Sequence, residues 1–338
     1  MSKASNTPNN ETKNQRRVWL WPTMCSLLTV AVAGLSLAFY FDEEYEAKVI
    51  DKKLSEYPLI DPVRNFVPQE HFVVNIQPLR DKVNALAREF GSEKVSIYIE
   101  FLNTGANISV NPNNYIFPAS FAKLPLAMIA MRKVEKGEWT LDSELILMVD
   151  DIDSESGSSE YPLYKYPIGT RFTVEELLKQ LLVYSDNTAY QILIRNLKEE
   201  EFRELLDDTG LQALVSTDGK MSAKEYSRLF RALYVSSFLK RGNSQKILQW
   251  LDESTFDDFL SSEVPKEIPF PHKYAERVDL NIYSDSGVVY VEDRPYLITV
   301  MIQGDKEFPA AIEREKAINL MKEVSREAYD YFSTFQRD

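Results

Sequence analysis

Apolar residues recur every three or four positions from Leu79 to Phe90, and Gly91 follows, which predicts a helix that ends there. Residues 95–102 then alternate and are rich in β-forming side chains, which predicts a strand. A turn at 103–106 leads to a second strand at 108–110. An apolar helical run begins near Ser120 and continues to about residue 134.

The middle of the chain is helical in pattern. Capping boxes at residues 173–176 and 222–225 open two amphipathic helices, and shorter helices are predicted from residue 189, at 200–208 and between 247 and 259. Residues 150–160 are predicted to form an exposed loop. Three late strands (277–283, 287–291 and 296–303) precede a last helix at 309–332. Strands at both ends of residues 76–335 predict an α+β fold with one antiparallel sheet and an inserted all-α lobe.

The N-terminal region has the pattern of a membrane anchor. Residues 1–17 are polar and basic, residues 18–41 carry no charge, and three acidic residues follow. An uncharged run of this length can cross a ~30 Å hydrocarbon core. The charge asymmetry predicts a single-pass protein of the bacterial cell membrane, with a cytoplasmic tail and an extracytoplasmic domain. Ala31-Val-Ala33 also permits a cleaved signal peptide, but the apolar run continues beyond it, so we favour an uncleaved anchor. Residues 42–75 are interpreted as a stalk or strap.

Composition narrows the chemistry. A net charge of −13 and a pI of about 4.9 argue against a nucleic-acid partner. With one cysteine and two histidines, an intrachain disulfide is excluded and thiolate or histidine metal sites are disfavoured, and no cofactor is indicated. A serine nucleophile in this chain would therefore need lysine as its base.

Ser120 and Lys123 offer such a pair. Three positions apart at the start of a helical run, they place a hydroxyl and an amine on one face, near backbone N–H groups that favour negative charge. The same spacing recurs at Ser237 and Lys240, so it has little specificity. On this stretch alone, a helix N-cap is the favoured interpretation of Ser120.

Three motifs in order carry more information: Ser120-x-x-Lys123, Ser185-Asp-Asn187 and His272-Lys273-Tyr-Ala. Their order within strand–helix–strand topology resembles the penicillin-recognising serine hydrolases, and most of all the class A β-lactamase family. The resemblance covers about residues 76–335 and implies a β-lactamase/transpeptidase-like fold. It implies that Ser120 is the nucleophile, that Lys123 relays its proton, and that Ser185 passes a proton toward the leaving nitrogen.

The resemblance also implies binding roles. Asn187 would hold a substrate amide, Lys273 would attract a substrate carboxylate, and the backbone N–H of Glu276 would complete an oxyanion hole with that of Ser120. Tyr274 stands where the family has a compact hydroxyl, unless its phenol reaches the carboxylate. Each of these residues also has an alternative interpretation when it is considered alone. Lys273 would be a solvated surface charge, and Ser185–Asn187 would be an ordinary turn. His272 is interpreted as a packing residue without catalytic function.

Two departures from the family pattern concern activity. Tyr274 and Ala275 replace a small hydroxyl residue and a glycine, which weakens the expectation of tight β-lactam binding. Residues 207–220 contain no glutamate for deacylation, and Asp218 is the remaining acid before the next helix. We therefore expect a β-lactam or a cell-wall peptide to acylate Ser120 and leave slowly. The alternatives are a D-alanyl-D-alanine carboxypeptidase or transpeptidase of the penicillin-binding kind, and an inactive binding or scaffold protein.

Overall fold

A computed structural model describes residues 76–154, 160–211 and 219–334. The predicted tail, membrane span and stalk (1–75) lie outside these ranges, as does Asp218. Within the described ranges, no helix is both long enough and apolar enough to span a bilayer.

Strands from both ends of the described chain form one antiparallel sheet with five strands, in the order β2-β1-β7-β6-β5, and two short strands pair separately. The strands are β1 (Val95–Phe101), β2 (Asn107–Val110), β3 (Glu144–Ile146), β4 (Arg171–Thr173), β5 (His272–Arg277), β6 (Ile282–Val289) and β7 (Tyr296–Gln303).

Helices supply the rest of the described architecture. They are α1 (Gln77–Phe90), α2 (Lys123–Glu135), α3 (Val174–Val183), α4 (Asn187–Arg195), α5 (Glu199–Thr209), α6 (Ala223–Tyr234), α7 (Arg241–Asp252) and α8 (Ala310–Thr334). Helices α1 and α8 pack together and cover one face of the sheet, whereas α6 packs on the other face and leads into the helical lobe. Helix α2 lies almost wholly buried within that lobe. The predicted α+β fold is therefore confirmed.

The capping boxes form as the pattern predicts. Thr173 accepts a hydrogen bond from the N–H of Glu176 at the start of α3, and Ser222 accepts one from the N–H of Glu225 at the start of α6. Gly210 ends α5 in the left-handed conformation, with φ 66°.

Two predicted elements are wrong. The segment 277–283 is not one strand: β5 ends at Arg277, and a 3-10 turn with left-handed Asn281 (φ 52°) leads into β6. The helix expected from residue 247 begins six residues earlier, at Arg241. The apolar periodicity did not reveal this start because the first turn of the helix is polar. The predicted exposed loop at 150–160 is described at 150–154 and 160, where most residues are exposed, whereas Asp151, in a 3-10 turn, is buried against Arg195.

Candidate active site

A 3-10 turn, Ala119–Ala122, presents Ser120 immediately before α2. Phe121 anchors the turn: it is fully buried, and its ring stacks on Tyr226 of α6 with centroids 3.8 Å apart. Ser120 itself is only partly buried. The turn therefore holds the serine firmly while leaving its hydroxyl open to a substrate.

Ser120 is not a helix cap in this structure. Pro118 and Ala122 occupy the N-cap positions of the turn and of α2, and neither makes a side-chain capping bond. The Ser120 hydroxyl is instead 3.2 Å from the Lys123 amine. The capping alternative for Ser120 is therefore wrong.

Two non-glycine residues at the site adopt left-handed backbone conformations. Ala119, just before the nucleophile candidate, has φ 47°, and Ser185 has φ 58°. Such conformations cost on the order of 1–3 kcal/mol each and persist only where surrounding structure enforces them. In Ser185 the result is that both its carbonyl and its hydroxyl reach Lys123.

Lys123 is the centre of the cluster. Its Nζ lies 2.5 Å from the carbonyl oxygen of Ser185, 3.0 Å from the Ser185 Oγ and 2.6 Å from the Oδ1 of Asn187. With the Ser120 Oγ, these groups surround an amine whose side chain is only 3% exposed.

Counting donors and acceptors assigns a role to each neighbour. The Ser185 carbonyl and the Asn187 Oδ1 can only accept hydrogen bonds, and a neutral amine has two N–H groups to satisfy them. The one lone pair of the neutral amine can then accept a hydrogen bond from the hydroxyl of either Ser120 or Ser185, both of which lie within reach. The neutral state of Lys123 is thus arranged to receive a proton from a serine.

Burial lowers the pKa of Lys123 to about 8, although the carboxylates of Asp186 and Asp153 oppose this shift. Desolvation disfavours the charged amine, and among the described residues no carboxylate forms an ion pair with it to compensate. A base near neutrality is suited to activating a hydroxyl at physiological pH.

Asp186 shapes the turn that supplies Ser185 and Asn187. Its Oδ1 accepts a hydrogen bond of 2.8 Å from the N–H of Ala189 and so caps α4, and its Oδ2 accepts one of 3.0 Å from the N–H of Leu163. The ordinary-turn interpretation of this motif thus holds for Asp186, whereas its two neighbours face Lys123.

Strand β5 forms the opposite wall, because it is the last strand of the sheet and packs against the turn that carries Ser120. The N–H of Val288 on β6 donates to the carbonyl oxygen of Pro271, so these two residues form a hydrogen-bonded pair. Along an antiparallel ladder, hydrogen-bonded pairs alternate with non-hydrogen-bonded pairs, and Glu276 with Tyr283 is a pair of the second kind. The N–H of Glu276 therefore points away from β6, toward the free edge of the sheet. This direction suits the predicted oxyanion hole.

Lys273 lies buried on β5 with 1% exposure, so its interpretation as a surface charge is wrong. Burial and the nearby Lys123 ammonium hold the pKa of Lys273 well below its usual value, against the opposing carboxylate of Asp285. A positive charge on Lys123 thus disfavours a positive charge on Lys273.

Comparison with known proteins decides the family. Residues 78–332 match the family described as the beta-lactamase enzyme family. The chain belongs to this family. No curated protein matches it.

Solved structures share its fold: PBP-A has a TM-score of 0.67 at 20% identity, and the match covers 77% of this chain and 97% of the PBP-A chain. A β-lactamase from Sphaerobacter thermophilus DSM 20745 has a TM-score of 0.66 at 18% identity, covering 76% and 99%. One from Chitinophaga pinensis DSM 2588 reaches 0.64 at 21% identity, covering 75% and 99%.

Within this β-lactamase-family site, the altered third motif has a definite arrangement. The ring of Tyr274 stacks on Phe256, with centroids 3.7 Å apart and planes 9° from parallel, so the ring is held by an aromatic partner. Ala275 is fully buried on the lobe side of the sheet, opposite Ser284. Its methyl group therefore lies within the packed interior.

His272 supports β5 from the other side of the sheet. Its Nδ1 is 2.9 Å from the Oδ1 of Asp285, and its ring stacks on Phe270. Asp285 also accepts a hydrogen bond from the N–H of Leu260. These contacts agree with a packing role for His272.

The motifs did not reveal every residue of this β-lactamase-family site. Asp153 acts on the charge of Lys123, and its N–H donates to the hydroxyl of Thr188, 3.1 Å away. Phe256 braces Tyr274. Neither residue belongs to a periodic pattern or a recognisable motif, and only the folded chain brings them to the site.

Proposed function

We propose that this protein is a membrane-anchored, extracytoplasmic serine hydrolase of the class A β-lactamase type, acylated at Ser120. The observation that carries the proposal is the hydrogen-bonded group around Lys123, in which the amine lies 3.2 Å from the Ser120 Oγ and 3.0 Å from the Ser185 Oγ. A nucleophile, an adjacent base and a second proton carrier are the parts that acyl transfer needs.

The proposed step conserves atoms and charge. Lys123 takes the proton of the Ser120 hydroxyl as the Oγ attacks the carbonyl carbon, and the N–H groups of Ser120 and Glu276 stabilise the oxyanion. The C–N bond then breaks: the Ser185 hydroxyl gives its proton to the leaving nitrogen and takes one from the Lys123 ammonium, 3.0 Å away, which returns Lys123 to the neutral amine. The product is an ester between Ser120 and the acyl group of a β-lactam or a peptide-like amide.

Slow release of that ester is part of the proposal. It rests on the sequence of residues 207–220, which contains no glutamate to activate water. Loss of a positioned base typically slows the step that it serves by about 10²–10⁴-fold. The solved complex of a point mutant of PBP-A with penicillin G is an acyl-enzyme, so a protein of similar fold holds such an ester, which supports the proposal.

Intact-protein mass measurement tests the proposal directly. Incubation with benzylpenicillin should add the mass of one penicillin to the wild-type protein and to Ser237→Ala, whose serine has the same spacing to a lysine. Ser120→Ala should stay unmodified. After removal of excess penicillin, the adduct should persist, and rapid return to the unmodified mass would refute slow deacylation.

A non-enzymatic scaffold is a second candidate, favoured by the buried Lys273 and the Tyr274 substitution. It predicts no labelling of wild-type protein by any penicillin ester or acid. The proposed anchor is tested separately: full-length protein should resist alkaline extraction from membranes, whereas a chain lacking residues 1–41 should be released.

A further inference from the structure

The ammonium position of Lys273 has an unusual environment. Its Nζ is buried and, among the described residues, has no hydrogen-bond partner. The ring of Tyr274 lies beside it, with the centroid 4.4 Å from the Nζ. An aromatic face is a weaker partner for a cation than a carboxylate or hydroxyl oxygen.

Tyr274 is held in that position from behind. Phe256 stacks in parallel on its ring, 3.7 Å between centroids. Phe256 in turn meets the fully buried Phe259 edge to face, at 4.8 Å. Since Phe256 occupies one face of the Tyr274 ring, Lys273 lies over the other face. The Tyr274 ring therefore covers one side of the Lys273 amine, and Phe256 connects that ring to the core.

Because Lys273 is only 1% exposed, a substrate carboxylate could reach its amine only if the surrounding side chains moved, the adjacent Tyr274 ring among them. The neighbouring Lys123 and burial both disfavour the charged form of Lys273, so its attraction for an anion is weak in the closed state. Among the described residues, the open groups of the site include the partly exposed Ser120 and Asn187 and the edge N–H of Glu276, and none of these three requires a negative charge on the substrate.

We propose that Tyr274, braced by Phe256, is a specificity-determining residue that closes Lys273 to anions and directs the site to neutral amides and esters without a carboxylate beside the reactive carbonyl. This inference rests on the proposed acylation of Ser120. It assigns Tyr274 a role that differs from that of the compact hydroxyl it replaces.

Benzylpenicillin and its methyl ester provide a matched pair of probes that differ only in the carboxylate. Intact-mass measurement gives the second-order rate constant of acylation for each probe. The quantity compared between variants is the ratio of the constant for the acid to the constant for the ester. In Tyr274→Thr the ratio should rise about tenfold or more, because a carboxylate gains hydrogen bonds to the uncovered amine and the new hydroxyl. Phe256→Ala should raise it in the same direction by a smaller factor.

Two controls separate the cover from general packing. Tyr329→Thr makes the same chemical change at a half-buried tyrosine of the same core cluster, on α8, and should leave the ratio unchanged. The double variant Tyr274→Thr/Lys273→Gln should lose most of the gain.

The outcomes distinguish the two proposals. Acylation of the wild type with an unchanged ratio in both Tyr274→Thr and Phe256→Ala would overturn the role of Tyr274 alone. A gain that survives Lys273→Gln would overturn it as well. Absence of acylation by both probes in every variant would overturn the proposed function, and this inference with it.

Discussion

Raising the pH from 6 to 9 should accelerate acylation of Ser120, because only the neutral amine of Lys123 can accept the hydroxyl proton. With a pKa of about 8, the neutral fraction is about 1% at pH 6, about 9% at pH 7, about 50% at pH 8 and about 90% at pH 9. The acylation constant should therefore rise about tenfold between pH 6 and 7, about fivefold in the next unit and less than about twofold above pH 8.

The methyl ester of benzylpenicillin is the suitable probe for this profile. It has no carboxylate, so a change in the charge of Lys273 with pH does not change the attraction between Lys273 and the probe. Samples quenched at short times and analysed by intact mass give the rate constant at each pH, and thermal unfolding at each pH shows that the protein stays folded.

Lys123→Met is the control, since it removes the amine and keeps much of the side-chain volume. Its acylation should be slower by about 10²–10⁴-fold and should lose the midpoint near pH 8. A wild-type profile that is flat, or whose midpoint lies near the 10.5 of an unperturbed lysine, would refute the assignment of Lys123 as the base.

Three further predictions concern stability, measured by urea unfolding. The folded pKa of Lys123, about 8, is below 10.5, so the unfolded chain binds more protons between these values. Relative to Lys123→Met, wild-type stability should rise by about 1 kcal/mol per pH unit from pH 8.5 to 10 and stay nearly level below pH 7. A Cβ at Gly287 would lie 2.5 Å from the Pro271 oxygen, so Gly287→Ala should cost about 1–3 kcal/mol of stability and slow acylation by shifting β5. Gly242→Ala is the control, because open space surrounds that position, and it should be neutral or slightly stabilising. Equal effects of the two substitutions would contradict this prediction. Asp186→Ala should cost about 2–3 kcal/mol because two backbone N–H groups lose their acceptor, and Asp186→Asn should cost less; no loss in the alanine variant would count against the capping role.

Local signals predicted much of the site. The three-residue spacing of Ser120 and Lys123 needs only one helical turn to bring the hydroxyl and amine together, and they lie 3.2 Å apart. The capping boxes at Thr173 and Ser222 act within four residues, so their helices begin where the pattern indicates. The order of strands and helices, together with the family resemblance, was enough for the α+β fold.

Sequence patterns gave wrong element boundaries where the local preference of the residues for a strand or helix differs from what tertiary packing requires. The segment 277–283 contains β-forming residues, yet the chain must reverse there to pair β5 with β6, and Asn281 takes a left-handed conformation. Helix α7 begins in a polar turn that has no apolar stripe, because its packing surface lies further along the helix.

What the sequence alone determined is the set of chemical groups and the short-range geometry that links them: Ser120 with Lys123, and Ser185 with Asn187. Only the tertiary structure decided that Lys273 is buried, that its amine faces Tyr274, and that Phe256 holds the ring in place. The physical reason is that the charge state and access of a lysine depend on desolvation and on neighbours far away in the chain, and local spacing contains no information about either.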